Sequence, residues 1–568
     1  MNAVSQPIPA AVNSTPLSTP LQKVAKWVKE RPNEIFLRQP IDGKLVDFTW
    51  TEVDNQMRRM ASAFLNMGLQ PGDRVAILAK NCAEWFITDF ALQLVGMISV
   101  PLYPLQSPDS IKYVMEHSNS KAIVLGKLDD ALSMEPGIPE NVKRIAMPYA
   151  NPMRVDYQWQ DLLKNNQPHQ GKANNHPDDL FTIIYTSGTT GNPKGVMHSY
   201  ATYAFGCENT GKTLTLGHAD RYLSYLPLSH IAERFMVMGT SIFAGATVYF
   251  VESLDTFARD LQTAKPTVFF AVPRIWKKFQ QQINDKLPEK KLNLLLSIPL
   301  VNRLIKNKIR KALGLNKARI MVSGASPIAL SLLEWYHKLG IEINEGYGVT
   351  ENLAYGPTLN LPGKVKMGTV GSVHALPGTE VKLTEEGEVI IRSGSLMRGY
   401  YMDDAKTAET IRNGWLHTGD RGEIDADGYL RITGRTKDAF KTSKGKFVQP
   451  NKLEGLLARN TDFEQICVAG SGHTQPFVLI ELTADARSRL PGRKKDLENS
   501  IWNTITEVNK ELDHHELINR AFIIKDIWSP ENGMLTPTLK IKRNIVEDKY
   551  AALAETYRDT KDRVVWED

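Results

Sequence analysis

The stretch that most limits the folds open to this chain is FTIIYTSGTTGNPKGVMHS, from Phe181 to Ser199. Phe181 to Tyr185 is a short run of apolar, β-branched and aromatic residues, which predicts a buried strand. It runs directly into Thr186-Ser187-Gly188-Thr189-Thr190-Gly191-Asn192-Pro193-Lys194-Gly195, where three glycines, a proline and four hydroxyl residues exclude helix and strand alike. What remains is a loop that turns N–H groups, hydroxyls and one ammonium toward a polyanion. Glycine lets the backbone come close to phosphate oxygens, and consecutive N–H groups form an anion-binding nest. A phosphate loop is therefore expected, but not a Walker loop. That pattern requires a glycine before its lysine and a Ser or Thr after it, and here those places hold Pro193 and Gly195.

A chain of 568 residues is too long for one core and predicts several structural units. A hydrophobic content of 42% with 8% aromatics is that of a globular protein. The net charge of +6 is small for this length and gives no argument for nucleic acid. Cys82, Cys207 and Cys467 are too few and too scattered for a disulfide framework or a zinc site, and suit a reducing cytosol. The opening, MNAVSQPIPAAVNSTPLSTP, lacks a basic start and a continuous apolar core, so residues 1–20 read as a disordered lead-in rather than a secretory signal. No apolar run is long enough to span a bilayer, and a cytoplasmic location is expected.

From Leu21 a helical pattern begins, and a second covers Val53 to Leu69. Strand patterns at Val75–Leu78, Ile98–Pro101 and Ala122–Leu125 alternate with helical ones such as Ala83–Val95, which predicts a largely parallel, helix-covered sheet. Phe269–Pro273 reads as a further buried strand. Residues 286–319 combine Leu292–Val301 with Arg303, Lys306, Lys308, Arg310 and Lys311. Two readings fit: a core-packed helix pair with a solvated basic side, or a peripheral contact with an anionic membrane surface. Asp513-His514-His515-Glu516 tempts a metal reading, but adjacent histidines on a helix point different ways, and a surface position is expected.

The loop resembles the signature loop of the adenylate-forming superfamily, which includes acyl-CoA synthetases, adenylation domains of peptide synthetases and luciferases. Further segments match that superfamily in the same order, from about Leu21 to about Tyr550. By this resemblance Thr186, Ser187, Gly188, Thr189, Thr190, Gly191 and Lys194 bind nucleotide phosphates. In LPLSHIAER, His230 is implied beside the carboxylate substrate. Gly324, Ala325 and Ser326 flank the purine, and Glu345, Gly346, Tyr347 and Gly348 continue that pocket, with Tyr347 against the adenine. Thr350 is implied at the α-phosphate, and Glu351, with Thr186, at Mg²⁺. Asp420 matches the residue that binds the ribose hydroxyls, and Arg435 a ribose and phosphate contact. Lys437 takes the hinge position. Ser443, Lys444, Gly445 and Lys446 fall in the loop that faces CoA in the second half-reaction. Lys540, in LTPTLKIKR, matches the mobile lysine that bridges carboxylate and α-phosphate, with Leu539 where other branches carry glycine.

The resemblance implies an α/β protein. Residues 21–436 would form a large N-terminal domain of two helix-covered sheets and a small β-barrel, and 437–568 a smaller, mobile α+β domain. It implies an AMP-forming acid–thiol ligase that uses ATP, Mg²⁺ and coenzyme A. The motifs look most like bacterial long-chain fatty acyl-CoA synthetases, so a medium- or long-chain fatty acid is expected. The alternatives are a short-chain or aryl acid, delivery to a carrier-protein pantetheine, and a regulator that holds nucleotide without turnover.

Overall fold

The computed structural model describes residues 17–186, 192–356, 358–536, 539–558, 560 and 562–567. Its first helix, Pro20–Glu30, starts at a capping box in which Thr19 and Gln22 satisfy each other's backbone N–H groups. A second capping box, Thr49 with Glu52, opens Trp50–Asn66 three residues before the apolar periodicity suggests. The expected strand–helix alternation builds an eight-stranded sheet. Its order is Gly399–Tyr400, Lys194–Ser199, Leu180–Thr186, Ile98–Leu102, Arg74–Leu78, Ser120–Leu125, Lys143–Ala146 and Tyr157–Gln158. From Leu180–Thr186 to Tyr157–Gln158 all neighbours are parallel, and the strand Lys194–Ser199 returns antiparallel after the loop.

A second layer is assembled from two four-stranded sheets. One orders Arg221–Ser224, Thr247–Phe250, Ile35–Ile41 and Lys44–Thr49; the other orders Val268–Ala271, Ile320–Ser323, Asn344–Tyr347 and Thr358–Leu359. Their edges are tied at Thr267, whose N–H donates to the Arg221 carbonyl at 3.0 Å. The helix Ala83–Leu94 is buried along its whole length between the layers, and its aromatics join the largest apolar core with Trp50, Phe36 and Phe250. A five-stranded antiparallel sheet of residues 379–435 follows and closes over Val389, Ile391, Leu416 and Leu430, where the small barrel is expected. The C-terminal part has a mixed four-stranded sheet, Phe463–Ala469, Phe477–Leu482, Ala521–Ile523 and Val564–Trp566, with helices against it.

Two local expectations need correction. The strand expected through Pro273 ends at Ala271, and Pro273 instead opens the helix Pro273–Lys286, the first-turn position where a missing N–H costs nothing. Residues 514–516 form a turn, not a helix, and Glu516 is buried rather than on the surface, paired with Lys452 at 2.7 Å. Among the described residues no group of three or more His, Cys, Asp or Glu side chains could hold a metal ion, and no helix is long and apolar enough to cross a membrane.

Candidate active site

The hairpin that carries the loop is in register from Thr186 opposite Lys194 to Thr182 opposite His198. This holds the two ends of the loop together; Ser187, Gly188, Thr189, Thr190 and Gly191 lie outside the described residues. Gly195, which breaks the Walker pattern, is a packing requirement. A Cβ there would stand 2.7 Å from Ile183 Cγ2 and 3.2 Å from Tyr185 Cζ. Lys194 sits over the Tyr400 ring at 5.5 Å. Its ammonium is held below its ordinary pKa by burial and by Lys406 and Lys437, against the opposing pull of Glu351 and Asp403.

Strand His198 ties this hairpin to the next motif, because its Nε2 donates to the Thr350 carbonyl at 2.8 Å. Burial lowers the His198 pKa to about 4, so the ring is neutral and keeps that single donor role. One residue on, Glu351 Oε1 accepts from the Tyr400 hydroxyl at 2.7 Å, and its backbone carbonyl accepts from Met397. The strand Asn344–Tyr347 brings Glu345 opposite Ser323. Both turns here are cut close: a Cβ on Gly324 would lie 3.3 Å from the Gly346 carbonyl, and one on Gly348 2.9 Å from Ala354 Cα. Ala325, at φ +67, holds a left-handed turn ahead of Ser326. Glu345 is buried, its pKa pushed up to about 8 by desolvation. Its Oε2, with Ser323 Oγ, Asn344 Nδ2 and Thr358 Oγ1, is buried without a hydrogen-bond partner among the described residues. Such a group of orphaned polar atoms at one edge of the sheet fits a polar ligand.

Asp420 faces this slot from the five-stranded sheet. Its Oδ2 accepts from the Tyr347 hydroxyl at 2.6 Å, and its Oδ1 lies 3.3 Å from Arg435 Nε across the antiparallel register. Burial raises its pKa, opposed by Arg435, Tyr347 and Lys540. Lys540 reaches the same cleft from the C-terminal part. The Arg435 charge reinforces the loss of hydration in lowering its pKa, and the Asp420 and Glu351 charges oppose this. Lys540 is exposed as a residue, although protein surrounds its ammonium. Its loop is pinned by the Thr536 N–H to the Lys540 carbonyl at 2.8 Å. Leu539 adopts φ +61, which explains a glycine preference at this place and marks the leucine here as strained.

His230 caps a single helical turn, its Nδ1 accepting from the Ala232 N–H at 3.2 Å. Burial and the Lys540 ammonium drive its pKa down to about 3, so it is neutral at physiological pH. What holds this loop is absent from the sequence-based list. Glu233 Oε1 accepts from Ser224 Oγ, the Tyr225 N–H and Asn81 Nδ2 at 2.8, 3.0 and 3.2 Å. Asn81 Oδ1 in turn accepts from the Leu228 N–H, and its Nδ2 donates to the Leu226 carbonyl. Glu233 stands inside the quoted LSHIAER string, a signal that was there to be read; Asn81 carries none. A π-helical turn, Arg234–Gly239, follows directly, as such turns often do beside functional sites.

The structure thus brings Thr186, Lys194, Gly324, Glu345, Tyr347, Thr350, Glu351, Asp420, Arg435, His230 and Lys540 near one another, where the C-terminal part meets the rest of the chain. Lys437 lies in the turn that follows the strand Leu430–Arg435. Ser443, Lys444, Gly445 and Lys446 lie instead on an exposed hairpin, where Ser443 N–H donates to the His473 carbonyl.

The sequence matches the family described as AMP-binding enzyme over residues 24–401 and the AMP-binding enzyme C-terminal domain over 437–561. A long-chain-fatty-acid–CoA ligase of Mycobacterium bovis is 29% identical over 604 residues, covering 97% of this chain and 98% of its own. A putative fatty-acid–CoA ligase of Mycobacterium tuberculosis is 33% identical over 422 residues, covering 67% of this chain and 73% of its own. Among solved structures, the adenylation domain of a carboxylate reductase from Mycobacterium chelonae aligns with a TM-score of 0.82 at 21% identity, over 96% of this chain and 91% of that one. An anthranilate CoA ligase in complex with anthranoyl-AMP aligns at 0.78 and 21%, over 95% and 99%. These structural likenesses carry the fold, and the family match carries the chemistry. The chain belongs to the AMP-binding enzyme family and is an adenylate-forming acid–CoA ligase.

Proposed function

We propose that this ligase activates a medium- or long-chain fatty acid and passes the acyl group to coenzyme A. Support for the acid comes from the long-chain-fatty-acid–CoA ligases among its relatives. The observation that carries the residue assignments is the placing of Lys540 in one cleft with His230, Asp420, Arg435 and Glu351. In the first step a carboxylate oxygen attacks the α-phosphorus of ATP and pyrophosphate leaves, giving the acyl-adenylate. Lys540 stabilises the charge that builds on the α-phosphate oxygens and draws in the carboxylate. Neutral His230 lines the carboxylate side without repelling Lys540. Asp420 and Arg435 hold the ribose, Tyr347 and the Gly324–Ser326 turn flank the adenine, and Lys194 with the loop from Thr186 binds the outgoing phosphates.

Glu351 and Thr186 would hold Mg²⁺. Glu351 Oε2 has no hydrogen-bond partner among the described residues, and a carboxylate with a hydroxyl is the sparse oxygen set this ion accepts when phosphates complete its shell. The ion supplies charge neutralisation at the phosphates. In the second step the CoA sulfur attacks the acyl carbon and AMP leaves. For that step Lys540 must withdraw and the hairpin of Ser443, Lys444, Gly445 and Lys446 must approach, by rotation about Lys437. The test is AMP release with CoA across acetate, octanoate, palmitate and benzoate. Turnover greatest with octanoate or palmitate supports the reading. Turnover confined to acetate or benzoate keeps the ligase and overturns the fatty acid.

A further inference from the structure

The helical hairpin Glu289–Ser297 and Val301–Ala312 has two unlike sides. Leu292 and Ile309 are buried, and Leu296 and Ile305 pack beside them on the core of the second layer. The opposite side and the tip present Leu294, Ile298, Leu300 and Leu304, which are 64%, 41%, 83% and 69% exposed. These stand in a field of cations: between Glu289 and Lys311 there are seven lysines and arginines and one acid. Lys290, Lys291, Arg303 and Lys308 form no ion pair among the described residues. The tip is also strained. Leu300 has φ +69 and ψ −49, and the Val301 N–H donates to the Pro299 carbonyl at 2.9 Å, the three-residue turn that non-glycine residues rarely adopt. The chain therefore holds its most exposed leucine at a conformational cost, at the outermost point of a basic hairpin.

We infer that this hairpin is a docking surface for an anionic lipid bilayer. Exposed aliphatic side chains at a tip, ringed by unpaired lysine and arginine, match a surface whose apolar interior lies beneath phosphate headgroups. Helices of nine and twelve residues are too short to span it, so the contact is interfacial. A second copy of the chain is a poor occupant, because it would set two unpaired basic fields against each other. The inference stands apart from the choice of acid and rests on the hairpin alone.

The experiment is sedimentation of the full chain with vesicles of phosphatidylcholine alone and with one-third phosphatidylglycerol, at low and high salt. Two variants are compared, Leu300→Asp/Leu304→Asp and Lys290→Glu/Lys291→Glu. We expect binding only to the anionic vesicles, weakened by salt, and reduced about tenfold or more by either variant. The thermal midpoint and AMP release with the preferred soluble acid should be unchanged, which shows that the variants fold. Wild-type protein that fails to bind the anionic vesicles, or variants that bind as it does, would overturn the proposal. So would self-association in gel filtration that Leu300→Asp/Leu304→Asp abolishes, since that would make the tip a contact between copies.

Discussion

At the scale of single residues, burial rather than pH fixes the protonation of Glu233 and His230. Glu233 is raised from its ordinary 4.5 to about 8, so the folded protein keeps a proton that the unfolded chain releases. Unfolding then becomes easier as pH climbs from about 4.5 to about 8. Glu233→Gln imitates the protonated acid and keeps its acceptor oxygen. It should raise the thermal midpoint at pH 8.5 by about 2–4 °C and leave it unchanged at pH 4.5, measured by calorimetry. An equal shift at both pH values would exclude the buried proton. His230 behaves oppositely: its value of about 3 keeps the ring neutral, so adenylation should show no limb near pH 6.5 that His230→Gln removes. Leu539 offers a third test. Glycine relieves its φ of +61, so Leu539→Gly should stabilise the Lys540 loop by about 1 kcal/mol or leave it unaffected. Protection of the Leu539 and Lys540 amides from hydrogen exchange reads this directly.

At the scale of elements, Asn81 binds the Ser224–Arg234 segment by four of its backbone or side-chain groups, and so positions His230 from a different strand end. Asn81→Ala should cost about 2–3 kcal/mol and lower kcat for adenylation more than it raises KM for ATP. A change in KM for ATP alone would place Asn81 in the nucleotide pocket instead. This element also shows how far the sequence reaches. The strand that leads into the loop at Thr186 was legible because its apolar, β-branched run is unambiguous, and the roles proposed for Glu345–Glu351 and Asp420 were suggested by contiguous motifs. Asn81, Ser224 and Tyr400 were not, because each acts through a partner remote in the chain and its type fits any polar loop. Glu516 was misjudged for the same reason, since the Lys452 that it pairs with lies far off in the chain, on the helix Pro450–Leu457. Proline at the start of Pro273–Lys286 was read as the end of a strand because the apolar run before it does not announce where it stops.

At the scale of the whole molecule, the C-terminal part is held on the helix Pro273–Lys286. Lys277 Nζ donates to the Phe463 carbonyl at 2.7 Å and Arg274 pairs with Glu464. Arg274→Glu sets like charges together and should slow adenylation roughly tenfold, about 1.4 kcal/mol, while sparing thioesterification of supplied acyl-adenylate. A loss shared equally by both half-reactions would mean that the contact serves stability rather than this arrangement. The arrangement itself was legible only as two regions joined near Lys437; which face docks is written in side chains such as Lys277 that carry no motif. The most direct test of the account is the pair of half-reactions in Lys540→Ala. If Lys540 stabilises charge at the α-phosphate, pyrophosphate release from ATP and acid falls by about 10²–10³-fold, whereas acyl-CoA formation from supplied acyl-adenylate stays near that of the wild type. Equal loss of the two, or adenylation that persists without this lysine, would contradict it.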